Sequence, residues 1–346
     1  MTSSPENKIT RSDLVKSAVN VGALGMEFSW TYYKQMNIAF CLMVANMLKK
    51  IYAGRPDDYA EALHRHCAFF NITVQFAPFV GGIAGGSLSI GSGVRIDNCS
   101  VTGVMDVTTS ESFARAGGLA ASVLRGAVTN SWTDVDITAA TDTNHVYAGG
   151  LYGMDNRATT VNCYALGSVT GNSTNNNKVH IGGLGQAGGV HINCYAAGNV
   201  VSHKTTTDVG ALNGRSAGIA VDYNCYFNSE ALQQQGDTVN VPAVAVGVNA
   251  NDSAMLKNVS GKTKAELGSE AFAQLLNDNA ARMADTVTEV DAYLETLQER
   301  GFVHKDYYTG NDLLTWRAQD GVVGFFAESA PELPFDDVAA GSWYYD

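Results

Sequence analysis

Apolar positions along this chain follow two different periods, and the change between them divides it. In Lys8–Tyr52 they recur at helical spacing, with Leu14, Val15, Ala18, Val19 and Val21 forming one face after a cap at Ser12 or Asp13. Met36–Leu48 is almost wholly apolar but only 13 residues long. A spanning helix needs about 20, so this run reads as an interfacial, re-entrant or packed helix. Trp30, Tyr32 and Tyr33 precede it and Lys49 and Lys50 follow it, as side chains anchored at a membrane interface would; burial in a soluble helical bundle is the competing account. Asp57–Phe70, opened by Pro56, is a third helix.

From Gly81 the helical period gives way to a recurring phrase. Gly149-Gly150-Leu151-Tyr152-Gly153 leads through a turn-rich gap to Val161-Asn162-Cys163-Tyr164-Ala165-Leu166-Gly167-Ser168-Val169. Gly182-Gly183-Leu184 leads likewise to Ile192-Asn193-Cys194-Tyr195-Ala196-Ala197-Gly198-Asn199-Val200, and looser copies begin at Gly81, Gly117 and Gly210. Asn98, Asn130, Asn162, Asn193 and Asn224 stand 32, 32, 31 and 31 residues apart. Such a period marks stacked repeats. Each copy holds short β-branched runs punctuated by Gly and Asn, which supply left-handed backbone at corners, and none buries a face alone. The expected fold is therefore mainly β with helical ends: a β-solenoid, wound as a right-handed parallel β-helix, preceded by an amphipathic helical segment. In it the five Asn form a ladder, and Cys99, Cys163, Cys194 and Cys225 form another, with Ser131 in the fifth slot.

Beyond the repeats, Glu230–Val259 reads as strands and loops. Ala265–Arg300 reads as helix, because Leu267, Phe272, Leu275, Leu276, Val287, Val290, Leu294 and Leu297 recur at three- and four-residue spacing. The expected division is a helical segment over 1–80, the solenoid over 81–229, a closing region over 230–334 with its helix at about 265–300, and a tail over 335–346.

Charge sharpens that division. The net charge is −12. Residues 1–80 hold 8 Lys+Arg against 6 Asp+Glu, a net of +2, so the remainder carries −14. Nucleic acid is thereby excluded as the partner of the whole chain. The aligned Cys read as a buried thiol stack, since Ser131 occupies the same slot. Met1–Thr10 is polar, and no secretory signal is recognised. For catalysis the best local cluster is Asp134, Asp136 and Asp142 with His145; the first two share a strand face. No neighbouring repeat supplies matching acids, so a solvated edge is the expectation. His64 and His66 point to different helix faces, and neither a metal nor a cofactor is implied.

Three resemblances attach to these patterns. The G-G-L-x-G … N-C-Y-A-x-G-x-V phrase resembles the GLUG repeat of bacterial surface and adhesin-like proteins, and Lys262–Leu276 with Trp316 resembles the segment closing such arrays. Ile9–Leu14, Phe28–Tyr32 with Gln35-Met36, Leu48–Tyr52, Glu61–His66 and Phe69–Asn71 resemble the opening of the IID membrane component of mannose-family sugar phosphotransferase systems. Phe335–Asp346 resembles the start of an S-layer homology module. The repeats imply a non-catalytic surface protein binding an extracellular carbohydrate or protein, and residues 1–80 imply a membrane surface or a IIC subunit as partner. A polysaccharide-acting β-helix enzyme is a third reading. The first two place the chain on opposite sides of the membrane, as in a fused chain.

Overall fold

The computed structural model describes residues 79–297, apart from short internal stretches, and 313–326, together with Lys49, Lys50 and Gly54. The helices expected over 1–78, with Trp30, Tyr32, Tyr33, Cys41, His64, His66 and Cys67, lie outside the described residues, save that Lys49 and Lys50 are helical. Phe335–Asp346 lies outside them too.

The repeats wind into a β-solenoid. One rung runs Val146–Gly149, Tyr152–Asn156, Thr159–Val161, then Tyr164–Ala165 and Val169–Ser173, and each of these strands pairs with counterparts on both adjacent rungs, except Tyr152–Asn156, which pairs with the preceding rung alone. Pairing between rungs is parallel and in register: Val80↔Ala116, Ala116↔Ala148, Ala148↔Ile181 and Ile181↔Val209 stack on one wall. On another wall Ile96↔Val128, Val128↔Thr160, Thr160↔His191 and His191↔Asp222 do the same. Rungs continue past Ser229, with Val246–Asn249, Ala254–Lys257 and Ser260–Lys262 each adding one more parallel strand. The mainly β solenoid expected from the repeat period is thus the fold.

The pleat sets what is inside. Along Trp132–Thr141, Thr133, Val135, Ile137 and Ala139 are buried while Asp134, Asp136 and Thr138 face solvent, the period-two alternation of a strand with one covered face. The core is a continuous column of Val, Ile, Leu and Ala from successive rungs.

Left-handed backbone is expected of both Gly and Asn, but in the structure the two have different roles. Asn98, Asn130, Asn162, Asn193 and Asn224 have φ of 51°, 51°, 59°, 55° and 54°, and Asn258 extends the series at 55°. Asn tolerates this left-handed region better than other side chains. The glycines of the phrase do not use it. Instead, a Cβ on Gly117, Gly149 or Gly210 would lie 2.0 to 2.2 Å from backbone atoms of Ala120, Gly185 or Asn213. These glycines are needed because two strands and the rung beside them meet backbone to backbone.

The helical region also departs from one continuous element. Lys264–Leu267 (α1), Glu270–Ala281 (α2) and Met283–Thr296 (α3) are separated at Gly268-Ser269 and at Arg282. Thr263 and Glu266 form a capping box for α1, and Ser269 caps α2. Helical periodicity continues across both breaks, which hid them. Phe272, Ala273 and Leu276 of α2 pack with Trp316 and Val323 on Tyr164, Tyr195 and Tyr226, the first two of which stack ring on ring. Met283, Val287, Val290 and Leu294 of α3 cover Val161, Val190, Ile192 and Val221. The closing region therefore lies along the flank of several rungs, on both sides of the Asn corner. Each side chain so buried contributes about 1.5–3 kcal/mol.

Candidate functional site

Both ladders are committed to structure. Asn162 Nδ2 donates to Asn130 Oδ1 at 2.9 Å and Asn193 Nδ2 to Asn162 Oδ1 at 3.0 Å. Between Asn193 and Asn224 the series is interrupted, because Asn279 of α2 donates to Asn193 Oδ1. The corner is further tied to the closing region: Asn162 donates to the Leu314 carbonyl, Asn193 to that of Leu276, and the Trp316 indole N–H donates to Asn162. The Cys99, Cys163, Cys194 and Cys225 thiols each donate to the carbonyl two residues before them, as the Ser131 hydroxyl does in its slot. All four are free, and burial pushes the Cys99, Cys194 and Cys225 thiols up, away from the reactive thiolate.

The acidic cluster is dispersed. Asp134 and Asp136 share the outer face of one strand, but the Asp136 carboxylate accepts the Ser168 N–H at 2.8 Å and Asp142 accepts from the Thr174 hydroxyl at 2.8 Å. His145 lies on another wall, stacked between Phe113 and His180. Burial, with His180 and Lys178 nearby, lowers its pKa.

Two arrangements were not foreseen. The first is a charged network inside the coil. His191 Nδ1 meets Asp222 Oδ1 at 2.8 Å and Nε2 meets Asp155 Oδ2 at 3.1 Å, with all three side chains at most 1% exposed. Asn213 Nδ2 donates to both Asp222 oxygens, at 2.9 and 2.7 Å, and the Ala158 N–H to Asp155 at 3.1 Å. Burial works against the imidazolium, but the two carboxylates overcome it and hold His191 up at about 10; burial pushes Asp155 up as well. Sealed from solvent, the network can stabilise or destabilise the coil but cannot reach a substrate. Aligning the repeats exposes it, since His191 and Asp222 continue the column of Ile96 and Val128.

The second is a groove of about 500 Å³ between the outer wall and the closing region. Asp134, Ser168, Asn199 and Glu230 reach it from successive rungs, Lys264 from the start of α1, and Gly321-Val322 from the hairpin Arg317–Gln319/Val322–Gly324. Leu166, Ala197 and Leu267 supply its apolar lining. Because the strand of Trp132–Thr141 is split in later rungs, around Gly167 and Gly198, its edge is recessed: a Cβ on Gly198 would lie 1.9 Å from the Gly167 carbonyl. No local signal marks this groove, since all of its lining but Asp134 lies about 30 to 190 positions further along.

Residues 8–89 match the family model of the PTS system mannose/fructose/sorbose family IID component. The match covers about a quarter of the chain, and its last residues, Phe79–Leu88, are the two opening strands of the solenoid. No curated protein and no solved structure matches the chain. Among the described residues no helix is long and apolar enough to cross a membrane, and no cluster of His, Cys, Asp and Glu could hold a metal ion. Of the interface residues named from the sequence, Lys49 and Lys50 are described and Trp30, Tyr32 and Tyr33 are not.

Proposed function

We propose that the chain is a non-catalytic bacterial cell-surface protein whose solenoid binds a carbohydrate or protein partner. The observation that carries this reading is the groove, which draws polar side chains from four consecutive rungs into one recess beside an apolar lining. Clefts of about 300–1,000 Å³ with a few convergent polar groups are the usual form of a binding site. The resemblance of the repeats to GLUG arrays of surface and adhesin-like proteins supports it, as does that of 335–346 to an S-layer homology start. Binding is favoured over glycoside cleavage, which needs two carboxylates across the bond. Glu230 gives one oxygen to the Lys264 N–H at 2.9 Å, and Asp134 is the acid of the groove with both oxygens open among the described residues. Protease treatment of whole cells tests the reading: cleavage within 81–262 supports it, and complete protection until lysis refutes it.

The second reading is a membrane IID component of a sugar phosphotransferase system, acting with a IIC subunit. It is favoured by the family match at 8–89 and confined to that segment. Sugar uptake restored in a strain lacking its own IID subunit would establish it over the first.

A further inference from the structure

We propose that the groove on the outer wall is the binding site for a short neutral oligosaccharide. This deepens the binding reading above and rests on it. The argument is a count of what the lining leaves unused. Asp134 is exposed, and both its carboxylate oxygens are without a hydrogen-bond partner among the described residues. Glu230 uses one oxygen for the Lys264 N–H and keeps the other. The lining also holds two donors. The Lys264 ammonium is exposed and unpaired among the described residues, and Asn199 binds the Leu232 N–H through Oδ1 at 2.8 Å, leaving its amide N–H groups.

One recess thus holds both donors and acceptors. A sugar hydroxyl is both, so a row of hydroxyls can satisfy such a lining on each side. A phosphate or sulfate is chiefly an acceptor and would set its charge against Asp134 and Glu230, with Lys264 alone to offset them, and a uronate, though it keeps hydroxyls, adds a carboxylate that meets the same repulsion. A pyranose ring also carries a C–H face, and Leu166 and Val322 give it an apolar surface to lie on. About 500 Å³ is room for two or three rings, and the lining side chains come from rungs that follow one another at about 4.8 Å, so a linear glycan would lie across the strands.

Calorimetric titration of the full chain with maltotriose, cellotriose, chitotriose and trigalacturonate tests this. At least one neutral trisaccharide should bind, trigalacturonate at least tenfold more weakly. Asp134→Ala should weaken binding about tenfold, as loss of a hydrogen bond to a charged group does. Ala231→Arg, which fills the groove from a half-exposed position, should abolish it. Both variants should keep the wild-type denaturation midpoint. The assignment is overturned if no neutral trisaccharide binds, if the uronate binds as tightly, or if binding survives both substitutions. No binding by a chain whose repeats are cleaved on whole cells would remove the ligand and leave the surface reading standing. Glycan binding at the groove of a chain protected until lysis would do the reverse.

Discussion

Replacing His191 by Ala tests whether the core of the coil depends on its charged network. The substitution removes the one cation between Asp155 and Asp222, whose side chains are both fully buried. Breaking a buried pair by removing one partner typically costs about 3–5 kcal/mol, because a charge is left without compensation. Two carboxylates would share the loss here, so the upper half of that range is expected. Asp222 keeps two N–H donors from Asn213, whereas Asp155 keeps only the Ala158 N–H, so Asp155 is the group that takes up a proton in the variant. Its folded pKa already lies above the unfolded value, so the folded chain binds more protons than the unfolded one and stability falls as pH rises past about 4. The stability of His191→Ala should accordingly fall between pH 5 and pH 8, as Asp155 gives up its proton. In the wild type the sign for His191 is that of a raised base: its contribution is complete below about pH 6.5 and is lost as pH rises through about 10. Guanidinium denaturation followed by far-ultraviolet circular dichroism reads both effects as a shift in midpoint at constant slope. Converting all three residues to Val, in keeping with Ile96 and Val128 in the column of His191 and Asp222 and with Val123 beside Asp155, should recover most of the loss. A penalty below about 1 kcal/mol for His191→Ala, or a variant whose stability does not fall between pH 5 and 8, would refute the reasoning.

Asn162→Ala should destabilise the chain by about 2–4 kcal/mol, combining the left-handed penalty at φ 59° with loss of bonds to Asn130, Leu314 and Trp316. Asn162→Gly, which relieves the backbone but not the lost bonds, should cost less; equal losses in thermal melts would show that the corner carries no strain. Cys163, Cys194 and Cys225 should resist iodoacetamide in the native chain and react on unfolding, as peptide mass spectrometry would show. Rapid native alkylation of any of the three would mean that the thiol column opens to solvent.

The architecture was legible because its causes are local and repeated. An Asn that must take a left-handed corner recurs at every rung, and so does a glycine pressed against a neighbouring backbone; both leave a fixed letter at a fixed interval. The breaks in the closing helix were not legible, because Phe272, Leu276, Val287 and Val290 keep helical spacing across Arg282 while facing different parts of the flank. Nor was the groove, which exists because α1 and the Val322 hairpin come to rest beside rungs far away in sequence. The interior network falls between these cases. Thr160, His191 and Asp222 are each unremarkable alone, and acquire meaning only once the register sets them in one column with Ile96 and Val128.

The register also bears on where the chain divides. The family match ends at residue 89, yet Phe79–Gly81 already pairs with Ala114–Gly117, and Ala84–Leu88 with Ala120–Leu124. Val80 is 4% exposed and belongs to the same core as Ala116 and Ala148. A stretch matched to a membrane component is thus used here as the first two strands of a solenoid, so the folding unit and the matched segment overlap. In a stack whose stability is a sum of rungs and interfaces, removing those strands exposes a full edge and loses their interface. A chain beginning at Phe79 should therefore melt at a higher temperature than one beginning at Ile90, and stay monomeric where the shorter one associates through the bared Ala114–Gly117 edge. Equal melting temperatures and equal sedimentation for the two would show that the solenoid starts after the match and that the opening strands belong to the N-terminal segment alone.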